Sequence, residues 1–394
     1  MSSDRIQKFP RELLSSDAAT KKSFFRNHTV GHPVVQELMK DLLEAIDDAD
    51  SDTVIIVYGP TGVGKTTLRH AVHRSLVARM TEVLQNNPSR LDAISEELKA
   101  PIPPAFFNWG DNFHHLLESV GEPLVDRKID PDNLRGHARR NASASPAALR
   151  RSWENILKFR KPLAVLLDEA QVITIAPASR LLDQCNVIKS IASQTGIPHV
   201  LLGTYKLLPV RNLDGQVSRR CVDLHFTRYT ESEEHCAAFA NTLRNLALAI
   251  PFEEPPNLDP YIDLFHEKTA GCIGLLKTWL ERSYSEALRR NARTIGENHI
   301  TKHMPSLDKL AKLFNEIAEG EAEFCKEEGY DAALRKVFPK REDKKQLDQD
   351  ATTTSDDSEA KQKVPRTKPG QMSPQREKIG PSEDCVAEGH QQVG

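Results

Sequence analysis

The sequence predicts a parallel α/β sheet flanked by helices, followed by a C-terminal helical domain. Short apolar runs alternate with stretches of helical periodicity over the first 230 residues, and this alternation is typical of a parallel sheet covered by helices. From Glu231 to about His303 the periodicity is purely helical, with breaks at Pro255-Pro256 and Gly271. The change of pattern indicates that the helical domain is separate from the α/β domain.

Short apolar runs mark the strands of the predicted sheet. Residues 53–58 and 163–167 are short and rich in aliphatic or β-branched side chains, as buried parallel strands are. Residues 199–202 form a third run, and residues 105–107 and 221–226 are weaker candidates. Apolar residues at helical spacing lie between these runs, so the strands are joined by helices, as parallel strands must be.

The pattern changes along the chain divide it into five regions. A stretch without periodicity, residues 126–149, predicts a mobile insertion within the second region. The last region is rich in Asp, Thr, Ser, Lys and Pro, a composition that predicts disorder. The predicted regions are an N-terminal extension (1–27), the α/β domain (28–230), the helical domain (231–305), C-terminal helices (306–339) and a disordered tail (340–394).

Composition and charge exclude several classes of protein. The 394 residues are 39% hydrophobic and carry a formal net charge of −3, which excludes a globally basic protein but not a local basic face. The six cysteines form no Cys-x-x-Cys pair, so neither a zinc site nor a disulfide framework is predicted, and a reducing cytosol fits better. The sequence lacks both a membrane-length apolar run and a secretory signal. We therefore expect a cytoplasmic protein with no membrane partner.

The strongest motif is G-x-x-x-x-G-K-T at residues 59–66, between a predicted strand and a predicted helix. Glycines let backbone N–H groups surround phosphates, and the helix N-terminus adds its positive dipole end. Lys65 is expected to reach the β- and γ-phosphates, and the Thr66 hydroxyl to bind Mg²⁺. The predicted nucleotide-binding residues are Gly59, Pro60, Thr61, Gly62, Val63, Gly64, Lys65, Thr66 and Thr67. The motif therefore predicts ATP and Mg²⁺ as cofactors.

A pair of acids, Asp168 and Glu169, follows the clearest apolar strand. An acid at such a strand end holds Mg²⁺, and a second acid beside it polarises the attacking water. We therefore predict that Asp168 lies on the metal side and that Glu169 is the general base. The alternative is an acidic pair that only favours the dipole of a following helix.

The G-x-x-x-x-G-K-T motif, or P-loop, is followed by Asp-Glu at a strand end and then by a helical domain. This arrangement resembles that of the AAA+ ATPases. Further motifs narrow the resemblance to the TniB and TnsC family of ATPases, which regulate transposition in bacterial mobile elements. The resemblance covers about residues 25–305. The motifs that carry it are Asn-His-Thr-Val-Gly-His-Pro (27–33), Asp-Glu-Ala-Gln (168–171), Leu-Leu-Gly-Thr (201–204), Gly-Gln-Val-Ser-Arg-Arg (215–220) and Gly-Cys-Ile-Gly-Leu-Leu-Lys (271–277).

The resemblance implies catalytic roles for three later residues. Thr204 matches the sensor-one position, which contacts the γ-phosphate or the attacking water; a capping or turn threonine is the alternative. Arg219 or Arg220 matches the arginine finger that reaches a neighbouring subunit's nucleotide, and a guanidinium suits developing phosphoryl charge. The alternative is a pair of surface arginines, and the sequence does not distinguish the two residues.

The resemblance also implies contacts outside the P-loop. Lys277 stands where many AAA+ proteins have a sensor-two arginine, so the residue type departs from the pattern, and a solvated helical lysine is the alternative. His32 and Pro33 match the segment that flanks the adenine pocket, where a plain helix-start turn is the alternative.

A basic cluster within the predicted insertion is the candidate DNA contact. Arg135, Arg139 and Arg140 lie among small polar residues rather than acids, so they are able to follow a phosphate backbone without reading sequence. The alternative is a solvated loop. No helix-turn-helix, zinc-finger or RNP motif is present in the sequence, which argues against sequence-specific recognition.

The function implied by the resemblance is that of an ATP-dependent, DNA-binding regulator of transposition. Such a protein assembles head to tail on double-stranded target DNA, as a ring or a helical filament, and recruits a transposase and a target-selection protein. ATP hydrolysis then drives disassembly, and the protein is associated with the bacterial nucleoid. The alternatives are a nucleotide-switched sensor or defence ATPase, a non-hydrolysing scaffold, and a small-molecule kinase.

Overall fold

The structure, a computed structural model, describes residues 7–129, 144–211 and 221–325. Five parallel strands form one sheet in the order β2-β3-β4-β1-β5. Because all the strands are parallel, the carboxyl ends of the neighbouring strands β3, β4 and β1 lie side by side at the same end of the sheet. The strands are β1 (Val54–Tyr58), β2 (Ile94–Glu97), β3 (Val165–Asp168), β4 (His199–Gly203) and β5 (Cys221–His225).

Helices connect the strands and then continue alone to the end of the described chain. In the described ranges, none of these helices is both long and apolar enough to cross a membrane. The helices are α1 (Ala18–Asn27), α2 (Pro33–Asp47), α3 (Lys65–Asn86), α4 (Trp109–Ser119), α5 (Pro146–Arg160), α6 (Ala178–Thr195), α7 (Leu208–Arg211), α8 (Glu233–Leu248), α9 (Ile262–Thr269), α10 (Ile273–Arg289), α11 (Glu297–Lys302) and α12 (Leu307–Cys325).

The predicted fold class is confirmed, but one strand prediction is wrong. Residues 105–107 form no strand; the second strand is Ile94–Glu97. Its sequence, Ile-Ser-Glu-Glu, is not an apolar run, because β2 lies at the edge of the sheet, pairs with β3 alone among the described strands and tolerates polar residues. Phe107 instead donates its N–H to the carbonyl of Ile175 at 2.8 Å, and its ring is buried at a loop corner.

Separate hydrophobic clusters hold the sheet and the helical domain. The two faces of the sheet carry one cluster each, and both include residues of the interior strand β1. The helical domain has its own cluster, which includes Phe25 of α1. Phe25 is fully buried, so the N-terminal segment that was predicted as an extension packs into the core of the helical domain.

Candidate functional site

The P-loop joins the carboxyl end of β1 to the first residue of α3, Lys65. Gly62 and Gly64 have φ angles of 79° and 121°, a region that strongly favours glycine. A Cβ on Gly59 would lie 2.7 Å from the carbonyl oxygen of Phe226, which packs against the loop. These glycines therefore allow the tight turn that directs the N-terminus of α3 at the loop, the arrangement that binds phosphate.

Lys65 is buried under the loop that precedes it. Its Nζ donates hydrogen bonds to the carbonyl oxygens of Gly59 at 2.8 Å and Pro60 at 2.9 Å. Burial lowers the pKa of the Lys65 ammonium group, whereas the carboxylates of Asp168 and then Glu316 favour its charged form. The cation is therefore held against the loop, where both acids stabilise its charge.

Asp168 ends β3 and is only 2% exposed. Its Oδ1 accepts the N–H of Glu169 at 2.9 Å, and its Oδ2 lies 3.5 Å from Nε of Arg69. Arg69 is buried on α3, one turn after Lys65, and its Nε makes no hydrogen bond within the described chain. Arg69 is not among the predicted site residues, although its spacing of four residues from Lys65 puts it on the same face of α3.

Glu169 and Thr204 are joined by the side chain of Gln171, which is not among the predicted site residues. Glu169 follows β3 with a φ of 54°. The Gln171 amide donates to Oε2 of Glu169, and its Oε1 accepts the N–H of Thr204 at 3.1 Å. A Cβ on Gly203 would lie 2.7 Å from Oε1 of Gln171, so glycine leaves room for this bridge. The predicted general base and the predicted sensor-one residue therefore lie at adjacent strand ends, linked by Gln171.

The helical domain contacts the P-loop directly. The N–H of Leu275, in the first turn of α10, donates to the carbonyl oxygen of Gly62 at 3.2 Å. A Cβ on Gly274 would lie 2.5 Å from that same oxygen. Gly274 and Gly62 thus permit a backbone-to-backbone approach, and the N-terminus of α10 lies against the phosphate-binding loop.

His32 and Pro33 form the link between the sheet and the helical domain. Pro33 is the first residue of α2, where its missing N–H costs nothing. Nδ1 of His32 lies 2.9 Å from the hydroxyl of Tyr229, and burial lowers the pKa of His32 to about 4. The imidazole is therefore neutral near pH 7. Its contact with nucleotide stays a prediction.

Lys277 is held by the end of α1. Its ammonium group donates to the carbonyl oxygens of Phe25 and, at 3.1 Å, of His28, and it lies 3.5 Å from the centroid of the Phe25 ring. Burial lowers the pKa of Lys277 to about 8. In this structure Lys277 thus caps α1 and joins it to the helical domain, while its sensor-two role stays a prediction.

Five of the predicted residues lie outside the described ranges. They are the candidate arginine fingers and the candidate DNA contacts, namely Arg219, Arg220, Arg135, Arg139 and Arg140. Their roles stay predictions.

The residues at the strand ends fit a Mg²⁺ nucleotide. A carboxylate from α12, that of Glu316, already accepts the Thr61 N–H of the P-loop at 3.2 Å, so the loop accommodates an anion. The Thr66 hydroxyl and the Asp168 carboxylate are hard oxygen donors of the kind that Mg²⁺ prefers. Within the described chain, no group of three or more His, Cys, Asp or Glu side chains forms a metal site of its own. A site with two protein ligands suits Mg²⁺ that arrives with a nucleotide.

The region that contains the P-loop is similar to a known domain family. Residues 47–210 match the AAA domain family, whereas no curated protein matches the chain. Three solved structures are similar to this chain. The ORC2 protein of Aeropyrum pernix is 19% identical, with 68% of this chain and 66% of that chain covered and a TM-score of 0.48. Cdc6p of Pyrobaculum aerophilum is 14% identical (72% of this chain and 70% of that chain covered, TM-score 0.45), and domain III of the replication initiation protein DnaA of Thermotoga maritima is 13% identical (71% of this chain and 94% of that chain covered, TM-score 0.40). The matched region therefore spans just under two thirds of the ORC2 protein. The family match covers less than half of the chain; together with the five-stranded parallel sheet flanked by helices, it shows the AAA+ P-loop fold.

Proposed function

We propose that the chain is an ATP-hydrolysing AAA+ switch that acts on DNA. The observation that carries the proposal is the convergence of Lys65, the Asp168–Glu169 pair and Thr204 at the carboxyl ends of three neighbouring strands. A cation for phosphate, an acid for Mg²⁺ and a general base are the groups that phosphoanhydride hydrolysis needs. A binding module that only holds nucleotide has no need of the base.

In this proposal, each residue has a defined part in hydrolysis. The P-loop N–H groups and Lys65 hold the phosphates, and Thr66 and Asp168 hold Mg²⁺, which supplies charge neutralisation when bound. Glu169 takes a proton from the attacking water, whose oxygen forms the new bond to the γ-phosphorus while the bond to the β–γ bridging oxygen breaks. The products are ADP and phosphate. Thr204, at the sensor-one position, contacts the γ-phosphate or the attacking water.

The proposal extends to a second subunit and to the rest of the nucleotide. Arg219 or Arg220 supplies positive charge to the γ-phosphate of a neighbouring copy in a head-to-tail assembly. His32 and Pro33 flank the adenine, and Lys277 turns from α1 to the nucleotide as sensor two. These assignments rest on the resemblance to the TniB and TnsC family.

The finer proposal is a role in DNA transposition, with target DNA, a transposase and a target-selection protein as partners in the bacterial nucleoid. It rests on the order of the motifs in the sequence. The basic cluster of Arg135, Arg139 and Arg140 supports contacts with phosphates that do not depend on base sequence.

The first experiment tests ATP chemistry. The wild-type protein is expected to hydrolyse ATP, Lys65→Ala to lose ATP binding, and Glu169→Gln to bind ATP without turnover, because a carboxamide is a much poorer base than a carboxylate. Glu319→Ala, at an exposed position of α12, is the control. Equal turnover by wild type and Glu169→Gln would remove Glu169 as the general base.

The second experiment tests DNA binding. Co-sedimentation with duplex DNA is measured with an ATP analogue, with ADP and without nucleotide, at several salt concentrations. Binding is expected only with the ATP analogue and should weaken steeply with salt, because each phosphate contact releases about 0.9 counterion. Replacing Arg139 and Arg140 by Ala should reduce the salt slope. Turnover without any DNA binding would favour the nucleotide-switched sensor or defence ATPase.

A further inference from the structure

Helix α12 covers the outer side of the P-loop. Its second half carries four glutamates, at positions 316, 319, 321 and 323, and no basic residue. The surface beneath α12, here called the rim, lies at the carboxyl ends of the strands. It consists of Thr61, Tyr205, His225 and Arg228. This rim offers hydrogen-bond donors, a guanidinium and aromatic rings to an acidic helix.

One set of polar contacts joins α12 to the nucleotide-binding loop itself. The Glu316 carboxylate accepts the Thr61 hydroxyl at 2.8 and 3.0 Å and the Thr61 backbone N–H at 3.2 Å. Glu316 also favours the charged form of Lys65. A carboxylate of the chain thus interacts with the same loop and the same cation that are expected to bind phosphate.

The second half of α12 is fixed on the rim by three further contacts. Glu321 forms two hydrogen bonds with Arg228, at 2.8 and 3.1 Å. The Phe324 ring stacks on His225 with a centroid distance of 4.3 Å. Gly320 is buried against Tyr205, where a Cβ would lie 2.1 Å from the ring. The contact is therefore a fitted surface rather than a chance approach of charges.

The first half of α12 is less closely packed. A cavity of about 530 Å³ lies between this half and α10, lined in part by Lys309, Lys312 and Trp279. An underpacked segment opens at a lower free-energy cost than a core helix. The docked position of α12 therefore depends strongly on the contacts of Glu316, Glu321 and Phe324.

We propose that the rim is a binding surface for an acidic amphipathic helix, occupied here by α12, and that nucleotide and α12 exclude each other at the P-loop. The inference rests on the proposed nucleotide site and adds its regulation. The phosphates of a nucleotide next to Lys65 place negative charge beside the negative Glu316. They also accept hydrogen bonds from the loop N–H groups, one of which Glu316 uses. Nucleotide binding therefore weakens the docking of α12. By reciprocity, docked α12 weakens nucleotide binding by the same factor.

The test compares full-length variants for their affinity for a non-hydrolysable ATP analogue. Glu316→Ala should lower Kd by about 5- to 30-fold, within the usual range of coupling between sites. Glu321→Ala should lower Kd by only about 2- to 5-fold, because Glu321 holds α12 through a partly exposed ion pair and does not touch the loop. Glu319→Ala, an exposed glutamate on the same helix, is the matched control and should leave Kd unchanged.

Hydrogen exchange gives a second readout. The analogue should speed amide exchange across residues 307–325 in the wild type and leave it unchanged in Lys65→Ala. If the wild type binds the analogue with the same Kd as Glu316→Ala and Glu321→Ala, and α12 stays protected, the inference is overturned and the nucleotide site stands. Binding by Glu316→Ala but not by wild type supports complete occlusion. Binding by none of the proteins refutes the nucleotide site, and with it the regulation.

Discussion

Gln171 provides the sharpest test of the proposed hydrolysis, because it bridges Glu169 and the N–H of Thr204. Gln171→Glu keeps an oxygen that can accept the Thr204 N–H, but it removes the N–H donated to Glu169 and places a second carboxylate beside that base. A hydrogen bond to a charged group contributes about 1.5–3 kcal/mol. If that bond orients Glu169 in the transition state, its loss should lower kcat by roughly 10- to 100-fold, since 1.4 kcal/mol corresponds to a factor of ten.

The assay is steady-state ATPase kinetics with a separate measurement of ATP affinity. KM and affinity should change by less than about twofold, because Gln171 is bonded to the base and to a strand end rather than to the P-loop. Gln194→Ala, an exposed glutamine on α6, is the control and should behave as wild type. A Gln171→Glu protein with unchanged kcat, or with equal losses in affinity and in kcat/KM, would refute the positioning role.

Three other predictions concern stability and the second subunit. Burial lowers the pKa of His199 to about 4, so between pH 6.5 and 4 only the unfolded chain binds a proton at this residue. The free energy of unfolding should therefore fall by up to about 1.4 kcal/mol per pH unit as the pH drops through this range. Urea titrations at several pH values should give a smaller pH dependence for His199→Val than for wild type. Gly271→Ala should lower the free energy of unfolding by roughly 3 kcal/mol, because the φ of Gly271 is 70° and an added Cβ would lie 1.9 Å from a backbone oxygen. Gly121→Ala should lower it by only about 1 kcal/mol, because Gly121 has a φ of 73° but an added Cβ would meet nothing within 4 Å. Thermal unfolding measures both changes. Arg219→Ala or Arg220→Ala should bind ATP normally and lose roughly 10³-fold in turnover, with partial recovery on mixing with Lys65→Ala; normal turnover in both variants would place the finger elsewhere.

The parts of the fold that sequence predicts are those with local signals. β1, β3 and β4 are buried on both faces, so nearly every residue is apolar and each strand stands out as a run. The P-loop is equally local, because its glycines, its lysine and its hydroxyl lie within eight residues of one another. β2 lacks such a signal, since an edge strand tolerates the polar residues of its second half.

The parts of the site that sequence did not predict depend on contacts between distant residues. Arg69 meets Asp168 across 99 positions of the sequence, and Gln171 reaches the N–H of Thr204 across 33. Lys277 binds carbonyl oxygens of α1 about 250 residues away, because α1 packs into the helical domain. Neither periodicity nor motif spacing shows which distant residues pair with one another, so the assembled fold is needed to reveal these pairs.

Two helices, α10 of the helical domain and the C-terminal helix α12, contact the P-loop at two consecutive residues. Gly62 accepts a backbone hydrogen bond from the first turn of α10, and Thr61 bonds to Glu316 of α12. The first contact is between backbones and needs glycine on both sides, so it tolerates little movement without loss. The second is an exposed carboxylate contact that a phosphate of the same charge sign is able to replace. We therefore expect a bound nucleotide to affect the two contacts differently: the contact with α10 should follow the position of the loop, and the contact with α12 should be lost when a phosphate takes the place of Glu316.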